Sequence, residues 1–286
     1  MKTESRYFNE EARTHLKQVF DGIETMRTDA NTGVLIDTGP EEGSPYRGFF
    51  RARSFESWDA LKVALTRPDL HLGRPPAAVA HSGRMNARGI SVFYGADEAK
   101  TALAEVRPPV GGNVAVAQFK LTRRVRLLNL RAFAHILEKG SIFDPAYLRR
   151  KERSIFLETL VRHMTMPVMP SNEALDYLPT QAIADYLASL ISPELDGILF
   201  PSVQVPGEKV NVVLFHKASR VQLLTYPADT KLSVDTGMFN GDEWVYELTV
   251  VEEIPAPPQK SSPRYDDMDF GRIGSNWTPP DADRRP

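Results

Sequence analysis

The chain contains no cysteine, which removes disulfides, thiolate nucleophiles and cysteine-ligated zinc from consideration. Such a chain is read most simply as a protein of a reducing, cytoplasmic compartment. It also lacks any run of about 18 apolar residues, the length needed to span a bilayer as a helix. Its first residues, MKTESRYFNEEARTHLKQVF, have no secretory apolar core, so no membrane association is expected. A dominant charge is missing too. With 35 Lys and Arg against 37 Asp and Glu, the formal net charge is -2, which gives no global electrostatic pull toward nucleic acid, and none is expected as a partner. Any phosphate binding must come from locally grouped arginines. The six histidines, His15, His71, His81, His135, His163 and His216, stand apart and form no helical pair beside a carboxylate, so no metal is expected.

What is present suffices for a full core: 286 residues, 42% hydrophobic and 25% charged. Apolar positions at three- and four-residue spacing predict one amphipathic helix from Phe8 to Met26, an accessory element. Gly39, Pro40, Gly43 and Pro45 then break any regular pattern, which places the start of the main domain near Tyr46. Helices are expected over Ser57–Leu65, Asp97–Val106, Tyr147–Arg162 and Gln181–Ile191, the last capped by Thr180 after Pro179. Arg67–Ala80 reads as an extended connector because of Pro68, Pro75 and Pro76. Strands are expected over Gly89–Tyr94, Val114–Phe119, Val125–Asn129, Gly197–Phe200 and Val210–His216, with an edge strand over Glu243–Val251. Gly111-Gly112-Asn113 reads as a hairpin turn, not a phosphate loop. The segment from Pro255 to Pro286 is rich in proline, serine and charge and buries too little to offset about 1–2 kcal/mol of backbone entropy per residue. The domains expected are a helical extension (1–45), a main domain (46–223), a strand-like extension (224–254) and a flexible tail (255–286).

Three blocks stand in a fixed order: FFRARSF at Phe49–Phe55, SGRMNARGISVFYGADEAKTALAEVRP at Ser82–Pro108, and DGILFPSVQ at Asp196–Gln204. Together they resemble the RES domain family. The stretches MTMPVMP at Met164–Pro170 and TQAIADYL from Thr180 align the chain with the longer RES proteins, which carry an N-terminal extension. The resemblance implies an α+β (mixed α/β) fold similar to ADP-ribosyltransferases, with a split β-sheet core and flanking helices. It implies NAD as substrate and cleavage of the nicotinamide N-glycosidic bond, as an NAD glycohydrolase (a hydrolase, or glycosidase) or an NAD phosphorylase. A toxin role is implied as well, with a cognate antitoxin protein as partner. Two alternatives stay open, a protein ADP-ribosyltransferase and an NAD-binding sensor with little turnover, and so does a homo-oligomer.

NAD carries two phosphates and a cationic nicotinamide, so its cleavage calls for arginines, an aromatic wall and a carboxylate near the ribose. On a strand, Arg51 and Arg53 share one face. By composition alone that is a solvated face, but Arg51 aligns with the family's first arginine. Arg84 matches the family's glycine-arginine pair, with Met85 where tryptophan is usual, and the resemblance assigns Arg51 and Arg84 to the phosphates. Tyr94 reads as an ordinary sheet tyrosine, which the family position turns into the wall of the nicotinamide ribose. Taking Ala99, Leu103 and Val106 as the apolar stripe of its helix places Glu105 on the solvated side. The family position points it instead at the oxocarbenium-like ribose. Ser202 reads as a turn serine, and the resemblance makes it a positioning group for ligand or for Glu105.

Overall fold

The computed structural model describes residues 10–109, 112–166, 173–205 and 207–225, with the backbone at 238–239 and 244–245. The helices are α1 (Glu10–Phe20), α2 (Trp58–Thr66), α3 (Pro68–His71), α4 (Ala99–Val106), α5 (Pro145–Thr165) and α6 (Glu173–Ser189). The strands β1 (Leu35–Thr38), β2 (Gly48–Phe55), β3 (Phe93–Ala96), β4 (Asn113–Lys120), β5 (Val125–Asn129), β6 (Gly197–Pro201) and β7 (Val210–Leu214) form one mixed sheet. Its order is β1-β5-β6-β7-β3-β2-β4. A separate two-residue pair joins Met238–Phe239 to Trp244–Val245, and the rest of the expected strand over 243–251 lies outside the described residues. The architecture is α+β, as the sequence implies.

Alternation along the central strands explains the two-sided core. Leu128, Ile198 and Val213 face a cluster with Phe20, Ile23, Leu157 and Leu187, beneath α1, α5 and α6. Their neighbours Leu127, Leu199 and Val212 face Phe49, Leu61, Leu65, Phe93 and Phe119 on the other side. The parallel pair β5–β6 needs a crossover, and α5 and α6 supply it. Asp144 starts α5 by accepting from the Ala146 N–H, and Pro145 occupies the first helical position, where its missing N–H costs nothing.

The sheet splits between β3 and β2. β2 pairs with β4 from Gly48↔Lys120 to Phe55↔Asn113, yet its register with β3 is the single pair Phe50↔Ala96. Past that pair the β2–β4 ribbon diverges from β3, and α4 packs beside the opening against Ala96, Val114 and Val116.

Several expectations are corrected. α1 ends at Phe20, because Gly22 takes a left-handed φ of 64° and a short 3-10 turn follows. Phe8 lies outside the described residues. Residues 10–45 are no accessory: Val19, Phe20, Ile23 and Met26 are core, and β1 pairs with β5 from Leu35↔Leu128 to Thr38↔Val125. The boundary drawn at Tyr46 therefore cuts through the sheet. Four strand residues beside a turn-rich run carry too little periodicity to be read. The connector 67–80 contains α3, with Pro68 at its first position. The strand expected at Gly89 begins at Phe93, because Gly89 has a φ of 84° and the Asn86 amide donates to His81 O, Ala87 O and Ile90 O. Gly112 lies in the α4–β4 connection, not in a hairpin, and its N–H donates to Pro109 O. α6 runs straight through Pro179, so Thr180 is no cap, and its Oγ1 donates to Arg84 O at 2.6 Å.

Asp196, at the start of β6, ties the sheet to the β4–β5 turn. Its carboxylate accepts from Arg123 Nη2 at 2.8 Å and from the Arg126 N–H at 2.9 Å. Burial raises the Asp196 pKa, but the Arg123 and Arg126 hydrogen bonds more than offset this and hold it below the usual range. A depressed folded pKa means the stabilisation is present above the unfolded value, about 3.9, and lost as pH falls through the folded value. Asp196→Asn is expected to cost about 1–2 kcal/mol at neutral pH. Urea titrations should show the difference from the parent shrinking below about pH 4. A difference that stays constant from pH 7 to pH 3 would remove the charge from this account.

Candidate active site

Where β2 and β3 diverge, a cleft of about 260 Å³ opens. β2 contributes Arg51 and Ala52, β3 contributes Tyr94 and Gly95, and α4 contributes Ala102, Glu105 and Val106. Phe200 and Asn211 close it from β6 and β7. Gly95 is required at the fork, since a Cβ there would lie 2.9 Å from the Phe50 carbonyl oxygen.

Arg51 spans the divergence. Its Nη1 donates to Tyr94 O at 3.4 Å and its guanidinium lies 5.4 Å from the Phe93 ring centroid. Burial, with Arg53 nearby, brings its pKa down to about 10, so it remains a cation at neutral pH. Arg53 follows the strand period but does not enter the cleft. It is exposed, donates to His71 O and sits over the Phe55 ring.

Glu105 is at the cleft although it is an exposed residue, and Ala99 and Leu103 of the expected stripe pack against the core. The buried residues of α4 are Thr101 and Ala102, and Glu105 follows them at four and three residues, on the same face. Its Oε1 accepts from Ser202 Oγ at 2.7 Å and from Asn211 Nδ2 at 2.8 Å. Ser202 Oγ itself accepts from the Gln204 N–H at 3.2 Å and the Val205 N–H at 3.4 Å, which directs its proton to the carboxylate. Both side-chain bonds fall on Oε1, so neither occupies Oε2. A carboxylate held this way is a fixed negative charge, suited to a developing cation or to taking a proton from a nucleophile.

Tyr94 lines the cleft, but its hydroxyl does not serve it. The hydroxyl accepts from the Met85 N–H at 3.0 Å and donates to Asn86 Oδ1 at 2.8 Å. Burial pushes its phenol well above the ordinary range. A Cβ on Gly83 would lie 2.6 Å from Asn86 Oδ1 and 2.8 Å from Tyr94 Oη, which accounts for a glycine before Arg84. Toward the cleft Tyr94 offers its ring as a wall, while both hydrogen bonds of its hydroxyl stay within the Ser82–Pro108 block.

Arg84 is directed elsewhere. Its Nη1 donates to Met164 O and Met166 O, each at 2.6 Å, and its guanidinium stands 5.5 Å from the Tyr177 ring centroid. These carbonyls end α5, where the helix dipole favours a cation. The side chain joins the Ser82–Pro108 block to α5 and does not line the cleft.

The structure thus brings together Arg51, Tyr94, Glu105 and Ser202, and leaves Arg53 and Arg84 outside. It adds Asn211, which sequence reasoning missed. The signal for it is an asparagine at the second position of VNVVL, a strand buried at every residue. Among the described residues no group of three His, Asp or Glu is placed to hold a metal ion, and no helix is long and apolar enough to cross a membrane.

A family model described as RES domain matches residues 51–235. No curated protein matches the chain.

Proposed function

The chain belongs to the RES domain family, and from that premise we propose that it is an NAD-consuming enzyme. It cleaves the nicotinamide N-glycosidic bond and passes the ADP-ribosyl group to water or inorganic phosphate. The observation that carries this reading is the Glu105 carboxylate, fixed at the cleft by Ser202 and Asn211. As the bond from ribose C1′ to nitrogen breaks, its electron pair goes to the ring, which leaves as neutral nicotinamide. The sugar carbon becomes oxocarbenium-like, and Glu105 stabilises that charge. An oxygen of water or phosphate then bonds to C1′, and with water as acceptor the proton passes to Glu105 or to solvent.

Arg51 keeps its positive charge at the cleft wall, and the Tyr94 ring bounds the sugar. A cleft of about 260 Å³ is small beside pockets that enclose a whole drug-sized ligand. It therefore takes the nicotinamide–ribose end, with the ADP portion crossing its rim.

Incubation of purified protein with NAD, with and without inorganic phosphate, is expected to release free nicotinamide. ADP-ribose as co-product identifies water as the acceptor, whereas a phosphorylated ADP-ribose that requires added phosphate identifies phosphorolysis. NAD left intact under both conditions would overturn the reading.

A further inference from the structure

Two buried side-chain atoms at the cleft, Arg51 Nε and Asn211 Oδ1, have no hydrogen-bond partner among the described residues. Asn211 is only 5% exposed, and its strand neighbours Val210 and Val212 are buried apolar residues. A buried acceptor without a donor costs stability, so its retention needs an explanation.

The orientation of this amide is set by Glu105. An ionised carboxylate only accepts, so Asn211 must present Nδ2 to Oε1, and a flipped amide would bring two acceptor oxygens together. The unpartnered atom is therefore Oδ1. It lies one amide width from the nitrogen that holds Glu105, beside the group at which the glycosidic bond breaks. Arg51 Nε is the opposite case, a donor lacking an acceptor at the same cleft. A primary carboxamide carries one acceptor and one donor on a single carbon, which is the complement of this pair.

We propose that Asn211 reads the leaving base: its Oδ1 accepts an N–H of the nicotinamide carboxamide, whose oxygen turns toward Arg51 Nε. This rests on the NAD-cleavage reading and goes beyond it by assigning base specificity to one residue. The two ends of the Asn211 amide then do different things. Nδ2 sets the carboxylate and Oδ1 sets the base, so a correctly seated carboxamide is registered against Glu105.

The test compares NAD with 3-acetylpyridine adenine dinucleotide, in which a methyl group replaces the amide nitrogen while the carbonyl and a ring of similar basicity are kept. The parent protein is expected to prefer NAD in kcat/KM by on the order of 10- to 100-fold. In Asn211→Ala the preference should fall to within about threefold, whatever happens to the absolute rates, since loss of the Glu105 contact slows both substrates alike. Both substrates are measured on one preparation, so a reduced folded fraction cancels from the ratio. A preference that survives in Asn211→Ala, or is absent from the parent, overturns the assignment. If the parent cleaves neither dinucleotide, the NAD-cleavage reading has failed, and calorimetric titration with nicotinamide and with 3-acetylpyridine decides this inference separately. Binding of nicotinamide alone, lost in Asn211→Ala, supports it, whereas equal binding of the two bases or binding of neither overturns it.

Discussion

Glu105→Gln is expected to lower nicotinamide release from NAD by on the order of 10²- to 10⁴-fold in kcat, with KM changed by no more than a few-fold. That loss corresponds to about 3–5 kcal/mol of transition-state stabilisation. Glutamine is the informative replacement because it is nearly isosteric. Its carbonyl oxygen can still accept from Ser202 Oγ and Asn211 Nδ2, the two bonds that hold the carboxylate at the cleft. The geometry then persists while the negative charge disappears. A group that acts on charge developing only as the bond breaks affects kcat, not ground-state affinity. Thermal unfolding of the variant should stay close to that of the parent, since Glu105 is a largely exposed residue on a short helix. Turnover equal to the parent's would take Glu105 out of the chemistry and leave it as a tether for the Ser202 loop.

Arg84→Ala is expected to destabilise the fold by about 1–3 kcal/mol, the cost of removing charge-assisted hydrogen bonds from one part-buried and one exposed carbonyl. The guanidinium satisfies Met164 O and Met166 O, and it does so where the α5 dipole presents partial negative charge. Urea unfolding measures the loss, and kcat per folded molecule should stay within a few-fold of the parent because Arg84 does not line the cleft. A phosphate clamp would behave in the opposite way, with stability retained and KM for NAD raised. The two outcomes separate a structural arginine from a ligand-binding one at a position where family resemblance alone implies the second.

These two residues show how far a sequence carries. Both lie in the Ser82–Pro108 block, and the pattern that singles them out does not say what each one touches. The partners of Arg84 lie 80 and 82 positions along the chain. The apolar stripe of Ala99, Leu103 and Val106 points Glu105 to the solvent side of α4. In the fold Ala99 and Leu103 do pack against the core, but the fully buried pair is Thr101 and Ala102, residues too small or too polar to advertise burial, and it brings Glu105 to the edge of the cleft. Asn211 escaped notice for a related reason. A polar residue in an apolar strand has no periodicity of its own, and its role rests on Glu105, 106 positions earlier in the chain.

What the sequence determined by itself is local and repetitive. Short apolar runs between turn signals marked β4 to β7, three- and four-residue spacing marked α1, and three ordered blocks marked the family, because composition, helix period and motif spacing are written along the chain. What only the tertiary structure decided is which side chains meet. β1 joins the sheet through β5, the β2–β3 register shrinks to one pair and opens the cleft, and Arg84 turns to α5 while Arg51 stays at the fork. Each of these depends on where distant segments satisfy their hydrogen bonds and bury their apolar faces, and no local pattern records those partners.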